Sequence, residues 1–557
     1  MNIKLLRLSV GLCLAAFFTC ALPAARAAET LVSKWGRFEQ SFQSSAAYEN
    51  PLQDASLTVI FLSPIGETNR VFGFWDGGKT WRVRFSPNMP GKWGWATICS
   101  DPANQGLHLK SGTFLCSAPT GQSRFQQHGP VRVARDGFSL QHEDDTPFFW
   151  LADTAWNGAL LSTPKDWEFY LQTRAHQKFT AVQWVATQWR ASASGDASGT
   201  PAFTGKEKIV VNPEFFRRLD AKADAANKIG LLNVPVLLWA IGGSSAAQNP
   251  GAFLPEDQRI LLARYMVARW QANAVAWILA GDGHYFGAEG ESWKRVGRAV
   301  FKDIIHAPVV MHPQGRHWLR EEFKNEKWIG LIGYQSGHGD NDEHLGWLTR
   351  GPLVQEWNQE PHRPLINLEP AYEGHLGYHS RQPISADLVR REVYWSLLNA
   401  PTAGVTYGGH GVWGWDDGTK APADHPGTGV PLPWRKALNL PGAEQMANVA
   451  NFFTSVDFSQ LRPLPEAVVN NPGQQSPRKY IAAARSEKKD LTVVYVPEER
   501  TVELLLTSLP PSPDVKWFNP RTGETSAAVA VITDTTAQFP TPGEGDWILW
   551  MQTQVKK

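Results

Sequence analysis

The 557-residue chain holds only four cysteines, and two of them, Cys13 and Cys20, fall within the first 27 residues. No disulfide framework can organise such a fold. Cys99 and Cys116 offer at most one bridge, and two small buried residues on neighbouring strands is the other reading. Lys/Arg clusters are missing as well, and 54 basic against 53 acidic side chains leave a formal charge of +1, which argues against nucleic acid as a partner. Past the N-terminus no apolar run reaches the ~20 residues of a membrane span. No Gly-rich phosphate loop follows an apolar strand, and "HEDDT" at 142 is not an HExxH zinc signature, so nucleotide enzymes and zinc proteases drop out. Tandem repeats and low-complexity tracts are absent too.

What is present begins with an export signal. Lys4 and Arg7 precede an apolar stretch from Leu8 to Pro23, which ends in Ala25-Arg26-Ala27. A basic start, a short apolar core and an A-x-A site describe a secretory signal peptide over 1–27, cleaved near Ala27. Phe17-Phe18-Thr19 lacks the small residues that lipidation of Cys20 would need. Cleavage removes Lys4, Arg7 and Arg26 and no acid, leaving about −2. The expected location is secreted or periplasmic. The chain is also rich in tryptophan, with 25; such rings fill cores, and they also stack on the C–H faces of sugars.

Residues 31–118 read as short β-rich runs ("ASLTVIFLSP", "GKWGWATICS") between Gly/Pro/Asn turns, the pattern of a small β-sandwich. Residues 119–128 read as a linker. Over 129–455 apolar runs alternate with helices that carry start signals: Thr163 before Pro164, Asn212 before Pro213, and Ser385 ahead of Val389, Val393 and Leu397. Eight candidate strands lie between them, at 148–152, 181–186, 234–239, 276–280, 307–311, 328–333, 365–368 and 404–407. The fifth interval leaves room only for a helix near 319–327. Eight strand–helix units predict a (β/α)8 TIM barrel; a doubly wound sheet would show the missing phosphate loop. From 462 to 557 β patterns return. The expected architecture is a multidomain α/β plus all-β chain, a central barrel flanked by an N-terminal and a C-terminal β-sandwich.

Functional residues of a barrel gather where strands exit into βα loops. Here those exits supply Asp153 and Trp156, Gln188 and Trp189, Trp239, Asp282 with His284 and Tyr285, His312, Gln335, Glu369 with Tyr372 and Glu373, and His410 with Trp413. Carboxylates, amides, imidazoles and indoles at one mouth suit an oligo- or polysaccharide better than a phosphate. Asp282, between Gly281 and Gly283, and Glu369 are the most sharply placed acids, and glycosidic hydrolysis needs an opposed pair. Plainer roles stay open: Asp282 as a helix cap or ion-pair partner, Glu369 as structural with Glu373 as nucleophile, Asp153 as a cap. His284, His312 and His410 show no metal-ligand spacing, so neither metal nor other cofactor is expected. "HLGYH" at 375–379 sits among glycines and reads as a loop. "RASASGDASGTPAFTG" reads as a mobile rim.

"FFWLADTAWNGAL", "YMVARWQANAVAWILAGDGHY", "PLINLEPAYEG" and "YWSLLNAPTAGVTYGGHGVW" resemble the apiosidase-like (β/α)8 glycoside hydrolases over 129–455. The segments before and after resemble the immunoglobulin-like domain and the domain with a collagen-binding label that often accompany such barrels. The resemblance implies a retaining glycoside hydrolase acting on a plant or microbial polysaccharide, apiose-bearing pectin side chains among the candidates. It makes Asp282 the general acid/base and Glu369 the nucleophile, although "LAGD" stands where the family pattern suggests "LGGD". The rival is a non-catalytic carbohydrate-binding or adhesion protein on a degenerate barrel. That reading requires one of the two carboxylates to be missing or turned away.

Overall fold

The computed structural model describes residues 29–554, so the expected signal peptide at 1–27 lies outside the described residues. Residues 31–117 form seven strands in the order 31–33, 111–117, 91–99, 57–62, 68–75, 80–85, 38–43. The strand Thr68–Trp75 serves both halves: it pairs first with Leu57–Leu62 and then, over Gly73–Trp75, with the strand Thr80–Phe85. Alternate residues of Leu57–Leu62 face inward, where Phe61 stacks on Phe85 at 4.1 Å and Phe38 on Phe114 at 4.2 Å. Register decides the cysteine question. Cys116 stands opposite Gly91, and Cys99 lies eight residues further along that strand, roughly 27 Å away. A disulfide needs Cα atoms within about 7 Å, so Cys99 and Cys116 are free and buried.

The stretch expected as a linker holds a short helix, Arg124–His128, whose Phe125 is buried. A three-stranded antiparallel flap follows, built from 131–133, 140–142 and 147–148. Pro147 and Phe148 are spent on that flap, so the first barrel strand starts two residues later than the sequence suggests.

The barrel strands are β1 (Trp150–Thr154), β2 (Ala181–Val185), β3 (Leu232–Trp239), β4 (Trp277–Gly283), β5 (Val309–Pro313), β6 (Ile332–Gln335), β7 (Leu365–Glu369) and β8 (Gly404–Tyr407). Neighbours run parallel in the order β5-β4-β3-β2-β1-β8-β7-β6. The Gly330 and Leu331 N–H groups donate to the Val309 carbonyl at 2.9 and 3.2 Å and close the ring between β5 and β6. These strands are almost wholly buried, as parallel strands covered on both faces must be. Around them lie α1 (Pro164–His176), α2 (Pro213–Ile229), α3 (Glu256–Trp270), α4 (Gly287–Phe301), α5 (Asp342–Arg350), α6 (Ala386–Leu398) and α7 (Pro441–Thr454). The expected caps are in place: Thr163 accepts from Asp166 N–H at 3.1 Å, Asn212 from Glu214 N–H at 3.1 Å and Ser385 from Leu388 N–H at 3.3 Å. The helix expected near 319–327 shrinks to Arg320–Phe323. Among the described residues no helix is long and apolar enough to cross a membrane.

The rim segment at 190–206 is tied down rather than free. Asp196 accepts from Ser198 N–H, Thr200 N–H and Arg218 Nε at 3.0, 3.2 and 2.7 Å. Residues 461–553 form a six-stranded sheet, 461–463, 482–486, 491–496, 547–553, 513–518 and 525–527, with a three-stranded sheet beside it.

Buried charge locks the N-terminal domain to the barrel. Asp220 on α2 accepts from Arg84 of the sandwich at 2.9 Å, from Arg269 of α3 at 2.6 and 3.2 Å, and from Trp270 Nε1 at 2.8 Å. Arg269 is fully buried and reaches Asp76 of the sandwich at 3.0 Å. Removing one member of such a set strands the others without water. Asp220→Ala is therefore expected to cost about 3–5 kcal/mol, seen by scanning calorimetry as an earlier transition in which the N-terminal domain separates. A melt identical to wild type would show that the pairing carries no net weight.

Candidate active site

At the C-terminal mouth of the barrel a pocket is lined by Trp156, Trp189, Arg190, Trp239, Asp282, Gln335, His338, Glu369, Tyr372, His375, Tyr378, Trp413, His425 and Thr428. Asp282, the last residue but one of β4, is in an unusual backbone state. Its φ is +53°, the left-handed region, where Asp and Asn are the best-tolerated residues after glycine. The pairing of β4 with β5 slips between Gly281 and Gly283, so this residue sits on a bulge that redirects its side chain. The flanking glycines are sterically required. A Cβ on Gly281 would meet Trp239 at 2.7 Å and Val236 at 2.8 Å, and one on Gly283 would meet the Tyr285 ring at 2.5 Å. The Gly-Asp-Gly run thus holds a carboxylate in a strained turn that faces the pocket.

Glu369 ends β7, hydrogen-bonded by His338 and approached by His312. His338 Nε2 lies 3.0 Å from Oε1 and His312 Nε2 3.3 Å from Oε2. The Tyr372 N–H donates to His338 Nδ1 at 3.3 Å, and an amide can only donate. Nδ1 is therefore the acceptor, and Nε2 carries the proton that reaches Glu369. Burial opposes ionisation of Glu369, but the two imidazoles outweigh it and hold the carboxyl well below the usual carboxylate range. Asp282 is displaced the other way. Burial is the main cause and the charge on Glu369 the second; they overcome His312, Arg190 and Gln335 and push Asp282 from 3.8 up to about 7. Two carboxyl groups in one pocket are thus driven apart, one ionised and the other still about half-protonated at neutrality, the arrangement that separates a nucleophile from an acid.

The aromatic wall is continuous. Trp156 meets Trp239 edge-on at 5.3 Å and Trp239 meets Trp189 at 4.4 Å. Trp156 Nε1 donates to Tyr372 Oη at 3.0 Å and Trp189 Nε1 to Asn157 Oδ1 at 2.7 Å. All three indoles are at most 2 % exposed, so they belong to the core and line the pocket at once. Tyr378, at 52 %, is the aromatic presented at the rim.

Several expected site residues lie elsewhere. Asp153 is inside β1 and turned toward α1, where Arg174 Nε and Tyr170 Oη donate to it at 2.7 and 2.6 Å; it is an internal ion pair rather than a pocket residue. Gln188 pins its own loop through Phe203 O and Ala202 N–H, both at 2.9 Å. Tyr285 is buried and accepts from Gly283 N–H at 3.1 Å, supporting the Asp282 turn. His284 is exposed among Phe286 and His317 on an adjoining groove. His410 sits behind the wall, where its Nδ1 accepts from Trp413 Nε1 at 3.2 Å. Glu373 accepts from Tyr407 Oη at 2.7 Å and from Gly442 N–H, at the start of α7, at 3.0 Å, so it caps a helix and is not in the pocket. His312 lies beneath the pocket against Glu369.

Arg190, His338, His375, Tyr378, His425 and Thr428 were not expected. Arg190 directly follows Trp189 and approaches Asp282 and Asp424 at 3.9 Å each. His375, read only as part of a loop, stacks on His338 at 4.4 Å. Burial pushes it from 6.5 down to about 2, and His425 down to about 4, so this wall meets a ligand as neutral imidazole. Among the described residues no group of His, Cys, Asp and Glu is arranged to hold a metal ion.

An eight-stranded barrel with this paired acid site has the fold of the glycoside hydrolases. A solved "Glycoside hydrolase" superposes with a TM-score of 0.68 at 20 % identity, covering 79 % of this chain and 100 % of that one. A glycoside hydrolase family 5 protein from Bacteroides vulgatus gives 0.68 at 19 % identity, covering 79 % and 96 %. A further Bacteroides vulgatus structure, titled a "putative glycoside hydrolase", gives 0.70 at 17 % and covers 94 % of this chain and 100 % of its own. The chain belongs to the family described as "Apiosidase-like, catalytic domain", whose model matches residues 134–460. A domain of unknown function, DUF5060, matches 31–100, and the "Putative collagen-binding domain of a collagenase" matches 463–552. No curated protein matches the chain.

Proposed function

We propose that the protein is an exported, retaining glycoside hydrolase that cleaves sugar units from a plant or microbial polysaccharide, apiose-bearing pectin side chains first among them. The observation that carries this reading is the divergence of the two carboxyl groups, Asp282 raised to about 7 and Glu369 held low, in one aromatic-lined pocket. Protonated Asp282 gives its proton to the glycosidic oxygen as the bond to the leaving group breaks. Ionised Glu369 attacks the anomeric carbon and forms a glycosyl-enzyme ester. Asp282, now a carboxylate, takes a proton from water, which opens the ester and regenerates Glu369 as the leaving carboxylate. The non-catalytic alternative needs one acid absent or averted, and both line the same pocket. The export half of the proposal rests on the N-terminal pattern, and N-terminal sequencing of secreted protein beginning at Ala28 would support it.

The test is to incubate the protein with apiose-bearing pectin fragments and a panel of aryl glycosides, following the first-formed sugar by proton NMR. Release with the anomeric configuration of the substrate is the expected result. Release with the opposite configuration would overturn the retaining mechanism, and binding without release from any member would favour the alternative.

A further inference from the structure

The C-terminal domain is fastened to the barrel at the helix behind the site. On α6, Arg390 donates twice to the fully buried Asp546, at 2.9 Å each, and Arg521 and Tyr495 complete that carboxylate at 2.7 and 3.0 Å. Trp395 Nε1 donates to the Tyr480 carbonyl at 3.0 Å, and Tyr394 stacks on Tyr495 at 4.7 Å. Two residues past Arg390, on the opposite side of the helix, Glu392 is 1 % exposed. Its Oε2 accepts from Ala371 N–H and from Ser336 Oγ, both at 2.9 Å. Ala371 follows Glu369 by two residues, and Ser336 precedes His338 by two. The loop carrying His338 is gripped from its other end as well. Arg478 of the C-terminal domain donates to the Asp340 carbonyl and lies 3.3 Å from Asp342 Oδ1. An acid buried without a cation is expensive to keep, and here it joins the two loops that set the His338–Glu369 contact.

We propose that the C-terminal domain is part of the catalytic unit rather than a detachable binding module, with Glu392 and Arg478 as positioning residues that hold the His338 loop against Glu369. The inference rests on the reading of Glu369 as nucleophile only for its kinetic consequence. Each loop has one anchor in α6, which the domain clamps, and loop 336–342 has a second in the domain itself. Without them the imidazole would sample positions away from Oε1, and a misplacement near 1 Å at such a contact costs about 10²-fold in rate.

The test uses full-length Arg478→Ala, Glu392→Ala and Glu392→Gln. Hydrogen–deuterium exchange of 336–342 and 370–375 is read without substrate, and kcat and KM on whatever substrate wild type turns over. In Arg478→Ala exchange should rise in 336–342, and in Glu392→Ala in both segments, the other barrel loops staying unchanged. kcat should fall roughly 10- to 100-fold with little change in KM. Glu392→Gln, which keeps an acceptor for Ala371 N–H, should restore both readouts. Arg478 is half-exposed, so its variant should fold even where Glu392→Ala does not. Unchanged exchange in 336–342 for Arg478→Ala, or loosening spread evenly over the barrel, would overturn the proposal. Because exchange needs no turnover, a chain with no glycosidase activity would sink the functional reading while leaving this test intact.

Discussion

Glu369→Ala should reduce turnover by on the order of 10⁴-fold or more, with kcat and kcat/KM falling together. In the proposed mechanism the carboxylate makes its decisive interaction only when the anomeric carbon is attacked, so substrate binding has little to lose. Azide should restore part of the rate on aryl glycosides with good leaving groups. The small anion enters the space the side chain vacates and gives a glycosyl azide of the opposite anomeric configuration. Glu373→Ala provides the contrast. Glu373 caps α7 and bonds Tyr407, so its loss should lower the melting temperature and leave azide without effect. Rescue at position 373 and none at 369 would transfer the nucleophile's role and dismantle the site as described.

The barrel was legible because parallel strands buried on both faces read as short apolar runs, and because Thr163-Pro164, Asn212-Pro213 and Ser385 announce helix starts. What misled was the accounting of strand length. Pro147 and Phe148 look like the beginning of β1 but pair with Gln141 and Leu140. That shift of two places Asp153 within the strand, facing Arg174, instead of at its exit. The strand-exit rule also locates a mouth without telling which residues at it face inward. Trp156, Trp239 and Asp282 do; Gln188 and Tyr285 brace their own loops. The residues that escaped notice have a common physical reason. His338, His375 and His425 lie three to eighteen residues beyond a strand end, on loops whose return path is set by contacts with α6, the C-terminal domain and one another. Local sequence carries no record of those contacts. Arg190 alone had a usable signal, as the next residue after a tryptophan already singled out.

The second large effect belongs to Asp282. Asp282→Asn should lower kcat/KM by roughly 10²- to 10⁴-fold, least on aryl glycosides whose leaving groups need no proton. In wild type the same group should set the basic limb of the pH profile. With the carboxyl raised to about 7, activity falls as pH climbs through 7 and the acid is lost, and the limb should vanish in the variant. Stability moves in the same direction with pH. The folded protein holds a proton on Asp282 that the unfolded chain releases near 3.8, so this group's contribution declines as pH rises from about 4 to about 7 and stays low above that. The span corresponds to at most on the order of 4 kcal/mol. Asparagine removes the charge, keeps the shape and suits a φ of +53°, so at pH 8 the inactive variant should melt higher than wild type. Glu369→Gln should do the reverse. That carboxyl is lowered in the folded state, so its contribution is present above the ordinary glutamate value and lost only as pH falls through the depressed one; at pH 8 its amide melts lower. Thermal melts of the two amide variants at pH 5 and pH 8 decide the matter. Shifts of opposite sign at pH 8, with the Asp282→Asn gain reduced to less than half at pH 5, are expected. Shifts of the same sign would mean that the two carboxyls are not driven apart, and the division into acid and nucleophile would lose its physical basis.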